Sequence, residues 1–245
     1  MNALATGRRA IRAALRRFDL DVVRTDTDEA RWGSRSWLID QRAVDCVLDV
    51  GANEGQYARA LRADGWRGPI VSFEPAAAVH ARLRELTDGD HWWTTRCSAL
   101  SDAEGHQALQ VAGNAYSSSL LPMADLHSDA APESRIVGTE MVVVERLDRI
   151  VDEVAPGATR ILLKVDVQGG ELAVLRGAEG MLDRVTIVEA ELSLATLYES
   201  QPRLVEVCDW LSARGFVPIH VEPAFRDDRT GRLFQLDGRF VRIGP

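Results

Sequence analysis

The stretch Val47-Leu48-Asp49-Val50-Gly51-Ala52-Asn53-Glu54-Gly55-Gln56-Tyr57 begins as an apolar run, carries one carboxylate and breaks into a glycine-spaced turn. It predicts a buried strand, a tight turn and a helix start. A turn of this kind lets backbone N–H groups approach a ligand closely, because glycine has no Cβ in the way. That geometry suits a nucleotide or a nucleoside-like cofactor. A dinucleotide fingerprint, G-x-G-x-x-G, would need glycine at positions 51, 53 and 56, and Asn53 and Gln56 occupy two of them. What stands here is Asp49, Gly51, Asn53 and Gly55, in the order acidic-x-Gly-x-small-x-Gly. Asparagine tolerates positive φ better than most residues, so the turn survives the substitution.

Downstream, residues 54–63 have helical spacing and stop at Asp64-Gly65. Residues 69–75 then read as a second buried strand ending on Glu74. A carboxylate at the tip of the second strand is where α/β cofactor folds grip ribose hydroxyls, since it can accept from two of them at once. A helix over 76–86 and a third strand over 91–97 follow. Residues 112–139 are rich in Ser, Ala, Pro and Gly without periodicity, which predicts a long inserted loop covering a substrate cleft, with Ser117, Ser118, Ser119 and His127 as candidate lining. Next come a strand over 140–145 and a helix over 147–154.

The run Ile161-Leu162-Leu163-Lys164-Val165-Asp166-Val167-Gln168-Gly169-Gly170-Glu171 is a buried strand with charges at its end. Strand period puts Lys164 and Asp166 on one side. Two explanations stand: the charges pair with each other, or they face a ligand at the carboxyl edge of the sheet. The rest predicts a strand over 185–192 holding Glu189 and Glu191, a helix over 204–214, a strand over 216–221, and a last strand over 234–242 interrupted at Asp237-Gly238. Six or seven strands alternating with helices imply an α/β fold with a doubly wound, mostly parallel sheet.

At 245 residues, one large domain with an N-terminal extension is the default, and a net charge of −8 supplies no broad surface for nucleic acid. Cys46, Cys97 and Cys208 are odd in number and form no C-x-x-C pair, so neither a disulfide framework nor a zinc site is expected, and free thiols point to the cytoplasm. No apolar run approaches the roughly 20 residues of a membrane span. Residues 8–18 form a short basic amphipathic pattern, with Ile11, Ala14, Leu15 and Phe18 among five arginines. Such a helix either packs on its own domain or docks on an anionic membrane surface. Residues 19–42 show no clear period and are expected to wrap toward the mouth of the fold or to mediate self-association.

The Asp49-x-Gly51-x-Asn53-x-Gly55 motif resembles the first motif of class I S-adenosylmethionine-dependent methyltransferases. Taken with Phe73-Glu74-Pro75, Ala99-Leu100-Ser101-Asp102-x-x-Gly105, Val144-Glu145-Arg146-Leu147-Asp148 and Lys164-Val165-Asp166-Val167-Gln168-Gly169-x-Glu171, it resembles the FkbM family of O-methyltransferases from about residue 44 onward. The resemblance implies a Rossmann-like domain over 44–245 behind a helical extension over 1–43, with a final antiparallel hairpin. It implies methylation of a hydroxyl on a sugar, glycolipid or polyketide-type small molecule. Asp49, Gly51, Asn53, Gly55 and Glu74 are the expected cofactor residues. Asp102 either accepts from the adenine amine, as the resemblance implies, or only shapes a hairpin into residues 106–111. Gln168 stands where many members carry glutamate, and Gly170 where many carry alanine. Asp166 is the expected base or orienting group for the acceptor, with Lys164 tuning its charge. A divalent metal shared by Asp166 and Glu191 is an alternative that no histidine cluster supports. Two other functional classes compete: a catalytically silent cofactor-binding partner protein, and a nicotinamide oxidoreductase, against which the missing glycines argue.

Overall fold

The structure is a computed structural model that describes residues 33–243. The basic pattern at residues 8–18 therefore lies outside the described residues. Helix α1 (Arg35–Gln41) begins at Ser34, whose side chain accepts from the Trp37 backbone N–H, and it buries Leu38 and Ile39. Strand β1 (Cys46–Val50) is buried at every position, as a central parallel strand with both faces covered must be. It leads through the glycine turn into α2 (Gln56–Ala63). Then follow β2 (Ile70–Phe73), α3 (Ala77–Leu86), β3 (Trp93–Arg96), β4 (Ala99–Leu100), β5 (Gly105–Ala112), α4 (Asp125–Ala130), β6 (Ile136–Glu145), α5 (Leu147–Val154), β7 (Ile161–Val165), α6 (Glu171–Gly177), β8 (Val185–Ser193), α7 (Leu204–Ser212), β9 (Phe216–Pro223) and β10 (Gln235–Arg242).

Among the described residues the main sheet has the order β3-β2-β1-β7-β8-β10-β9, and β4-β6-β5 form a second, smaller sheet. The first five strands of the main sheet are parallel, and β10 is antiparallel to both β8 and β9. This is the doubly wound, mostly parallel sheet with a closing antiparallel hairpin. Strand alternation divides the core into two layers. Cys46, Leu48 and Val50 pack with Leu147, Ile150, Leu172, Leu175, Val207 and Leu211 of α5, α6 and α7 on one face. Val47 packs with Leu38, Ala58, Leu61 and Leu83 of α1, α2 and α3 on the other.

In-register pairing on the second face builds a row of polar side chains across five strands: Ser72, Asp49, Lys164, Glu189 and Arg239. One pleat nearer the carboxyl edge, the same face carries Asp166 after β7, Glu191 on β8, Asp237 directly opposite Glu191, and Glu222 opposite Asp237.

Three sequence expectations change. The inserted segment is not structureless: it holds Ser119 in a bridge to Gln110, helix α4, a bridge from Met123 to Tyr198, and the first turns of a strand β6 that starts at Ile136. Its β-strand portion went unseen because Ile136–Glu145 exposes most of its length and so lacks a clean apolar alternation. Asp102 and Gly105 do not open a hairpin between β4 and β5, because β6 lies between those strands. The last strand is not interrupted at Asp237-Gly238, since both residues pair with β8; the irregularity falls between Arg239 and Phe240 against β9.

Candidate active site

A cleft of about 640 Å³ opens at the carboxyl edge of the sheet, where β1, β2, β7 and β8 end. Gly51, Asn53, Glu74, Lys164 and Asp166 all line it. Gly51 has φ +74°, and a Cβ there would sit 1.8 Å from the Asp166 carbonyl oxygen, so only glycine lets the turn and the end of β7 approach this closely. Asn53 adopts the positive φ anticipated for it, +47°. Its backbone N–H donates to Glu74 Oε2 at 3.0 Å, while Glu74 Oε1 accepts from the Ala76 N–H at 2.9 Å. The β2 carboxylate is thus anchored to the β1 turn by backbone donors. Burial pushes Glu74 up to about 7 against the pull of those N–H groups.

Asp49 and Gly55 belong to the motif but do not line the cleft. Asp49 is fully buried beneath the turn: its Oδ2 accepts from Ser72 Oγ at 3.1 Å, and its Oδ1 lies 3.2 Å from Lys164 Nζ. A Cβ on Gly55 would meet Leu83 and Trp93 at 2.9 Å, so this glycine serves the packing of α2 on α3 and β3. Asp102 is exposed outside the cleft, and its carbonyl accepts from Arg146 Nη1 at 2.8 Å. Asp102 is thus not among the residues that line the cleft. The wall at that place is made by Ser98, Ala99, Leu100 and Ser101.

Lys164 reaches Asp49 at 3.2 Å and Asp166 at 3.7 Å, and it also donates to the carbonyls of Val50 and Gly51 at 3.3 and 2.8 Å. Burial works against its charge, yet Asp49 and Asp166 outweigh it and hold the ammonium above its ordinary range. Lys164 therefore pairs chiefly with Asp49 and pins the cofactor turn to β7. Asp166 keeps 39 % of its side chain exposed to the cleft.

Several lining residues had no clear sequence signal as site residues. Arg35 enters from α1, and its Nε sits 3.0 Å from both oxygens of Glu189. Glu189 also takes Arg239 Nε at 2.9 Å and the Tyr57 hydroxyl at 3.2 Å. Burial would raise Glu189, but Arg35 and Arg239 hold it low. Ser34 as an N-cap before Leu38 and Ile39 was the available clue to α1. On the opposite wall, Tyr116, Ser118, Ser119, Leu120 and Leu121 of the inserted segment line the cleft, and the Tyr116 hydroxyl accepts from Gln56 Nε2 at 3.3 Å. Ser117 and His127 do not line it; His127 is buried against Tyr198 and Phe225.

A nucleoside-type cofactor fits what this half of the cleft leaves unsatisfied. Asn53 Oδ1 is buried at the turn without a hydrogen-bond partner, Glu74 faces the same space, and Phe73, Ala99, Leu100 and Leu109 offer an apolar wall for a base. Among the described residues no group of three or more His, Cys, Asp or Glu side chains is placed to hold a metal ion. Cys46, Cys97 and Cys208 are unpaired. Among the described residues no helix is long and apolar enough to cross a membrane.

The chain is similar in structure to magnesium protoporphyrin IX methyltransferase from Synechocystis PCC 6803, at 10 % identity and TM-score 0.46 over 99 % of this chain and 98 % of that one. It is also similar to an rRNA methylase from Streptococcus thermophilus, at 8 % identity and TM-score 0.43 over 82 % of this chain and 88 % of that one. No curated protein matches the sequence. The methyltransferase FkbM domain matches residues 49–218, a span that starts at the β1 carboxylate and ends in β9, and the chain belongs to that family of methyltransferases.

Proposed function

We propose that this protein is an S-adenosylmethionine-dependent O-methyltransferase acting on a hydroxyl of a sugar, glycolipid or polyketide-type molecule. The observation that carries the reading is the position of Asp166: an accessible carboxylate whose backbone carbonyl packs against the Gly51 turn, in a cleft lined also by Asn53 and Glu74 and by the acidic Glu191, Asp237 and Glu222. Gly51, Asn53 and Glu74 would hold the cofactor, Glu74 by accepting from ribose hydroxyls and Asn53 through its unpaired Oδ1. When bound, S-adenosylmethionine supplies an electrophilic methyl group. Asp166 accepts the hydrogen bond of the acceptor hydroxyl and takes its proton as the oxygen is alkylated. Lys164 stabilises that carboxylate and the turn together. The inserted segment, through Tyr116 to Leu121, covers the cleft and limits water.

Asp166, Glu191, Asp237 and Glu222 all line the acceptor half, and this favours a neutral polyol over a phosphorylated or nucleic-acid acceptor by charge alone. The test is transfer of labelled methyl from S-adenosylmethionine to a panel of hydroxylated sugars, glycolipids and polyketides. Label recovered as an ether methyl is the expected result. Binding of S-adenosylhomocysteine with no labelled product across the panel would instead identify a silent cofactor-binding protein, and label on RNA alone would overturn the acceptor class.

A further inference from the structure

Gln168 lies in the left-handed region at φ +59°, a conformation that a non-glycine residue keeps only where its surroundings enforce it. Four contacts do so. Its carbonyl accepts from Ser119 Oγ at 2.6 Å, and its Oε1 accepts from the Tyr198 hydroxyl at 2.9 Å. Its Nε2 donates to Asp166 Oδ1 at 2.9 Å and to Glu191 Oε2 at 3.1 Å. Two carboxyl groups facing one side-chain amide call for its N–H end, which sets the amide orientation; the single Tyr198 hydroxyl hydrogen lies between Gln168 Oε1 at 2.9 Å and the Ser117 carbonyl at 3.0 Å. Gln235 Nε2 also donates to Glu191 Oε2. Both amides thus go to one oxygen of Glu191.

We propose that Gln168 is the positioning residue of this cleft: by giving one amide N–H to each carboxyl group it fixes Asp166 and Glu191 side by side, and those donors limit how tightly the crowded pair holds a proton on Glu191. The catalytic use of this pair rests on the methyltransferase reading, whereas its protonation belongs to the folded chain itself.

The groups facing the pair agree. Asp49 and Lys164 lie on β1 and β7, Glu171 opens α6, Asp237 stands opposite Glu191 on β10, Glu222 faces Asp237 from β9, and the Tyr198 phenol lies beyond β8. Burial first, and then Asp166, Glu171 and Asp237, push Glu191 well up. Asp237 is itself pushed up to about 6, by burial and then by Asp166 and Glu222. The cation of the group, Lys164, sits beside Asp166 at 3.7 Å and also pulls against the rise at Glu191.

The experiment is an NMR titration of the side-chain carboxyl carbons in the full chain, assigned with Asp166→Asn and Glu191→Gln. In the wild type one carboxyl group should titrate well above the ordinary carboxylate range, and that step should disappear in Glu191→Gln. In Gln168→Met that step should move up by about one pH unit or more, because the ionised pair has lost its donors. Tyr198→Phe keeps the packing and removes one hydrogen-bond partner of the Gln168 amide, a hydroxyl it shares with the Ser117 carbonyl, so the step should move the same way by less. This second variant also covers the case in which Gln168→Met does not fold. A step that stays in place in the folded variants, or that disappears in Asp166→Asn instead of Glu191→Gln, overturns the proposal. Calorimetry with S-adenosylhomocysteine on the same samples separates the two claims. Correct titrations without cofactor binding sink the methyltransferase reading and leave the carboxyl pair standing. Cofactor binding with an unmoved titration does the reverse.

Discussion

Two rows of side chains cross the same face of the sheet one pleat apart, and they follow opposite rules. In the inner row Asp49, Lys164, Glu189 and Arg239 alternate in sign across four neighbouring strands, with ion pairs of 3.2 and 2.9 Å at its two ends. In the outer row Asp166, Glu191, Asp237 and Glu222 share one sign. Cross-strand partners of opposite charge stabilise a sheet and like charges weaken it. The inner row behaves as scaffold: its charges are satisfied by one another and by the turn carbonyls that Lys164 holds. The outer row gathers like charge at the carboxyl edge, kept in order by the Gln168 and Gln235 amides and by two inner-row cations, Lys164 at 3.7 Å from Asp166 and Arg239 at 3.7 Å from Glu222. Motif residues therefore divide by depth. Asp49 lies beneath the cleft and Lys164 ties it to the turn, whereas on the proposed reading Asp166 and Glu191 face the acceptor.

Cutting the inner row should cost most. Lys164→Met leaves Asp49 buried without its cation, so stability measured by denaturant unfolding should fall by about 3 to 5 kcal/mol; a loss below about 1 kcal/mol would show that the alternation is ornamental. The outer row should respond in the opposite way. Asp166→Asn relieves like-charge crowding and is expected to fold at least as stably as wild type, while methyl transfer drops by about a hundredfold or more. An unfolded variant, or one with full turnover, would erase the distinction between the rows. A smaller effect should follow from replacing Tyr116 to Leu121 with a glycine-serine linker. Ser119 holds the Gln168 carbonyl, so turnover should fall by about tenfold while affinity for S-adenosylhomocysteine stays within about twofold. Equal losses in both would assign the segment to the cofactor half.

The smallest expected effect is a pH dependence. Glu74 is held at about 7 chiefly by burial, above its value in the unfolded chain. The stability it contributes is therefore fully present below about pH 4.5 and is lost as pH rises through 7. Accepting from ribose hydroxyls favours the ionised form, so cofactor affinity should rise across the same window. Calorimetry at about pH 6 and pH 8 should show the rise in wild type and a flat response in Glu74→Gln; a rise that persists in the variant would move the titrating group elsewhere.

The strand-turn-helix at Val47 to Tyr57 and the charged end of β7 were legible because their signals are local: apolar runs, glycine spacing and a carboxylate at a strand tip. Glu74 was placed by the same logic, and it converges with Gly51 and Asn53 on one cleft. The alternating row was invisible, because its partners are set by strand order and register, which no local window contains. Arg35 was hidden by a short helix whose only mark was Ser34. Asp102 lies just beyond the lining residue Ser101, a difference of one position that a motif, which gives order alone, does not resolve. Gln168 read as a departure from the family pattern, and its meaning depends on Tyr198 and Glu191, 30 and 23 residues away.

The most direct test of the account is isothermal titration of S-adenosylhomocysteine into wild type, Asp166→Asn and Glu74→Ala. The account predicts binding by wild type, undiminished binding by Asp166→Asn, and a loss of about 1.5 to 3 kcal/mol in folded Glu74→Ala, the usual worth of hydrogen bonds to a charged group. No heat with wild type, or equal affinity for wild type and Glu74→Ala, would contradict the assignment of the Gly51, Asn53 and Glu74 half of the cleft to the cofactor.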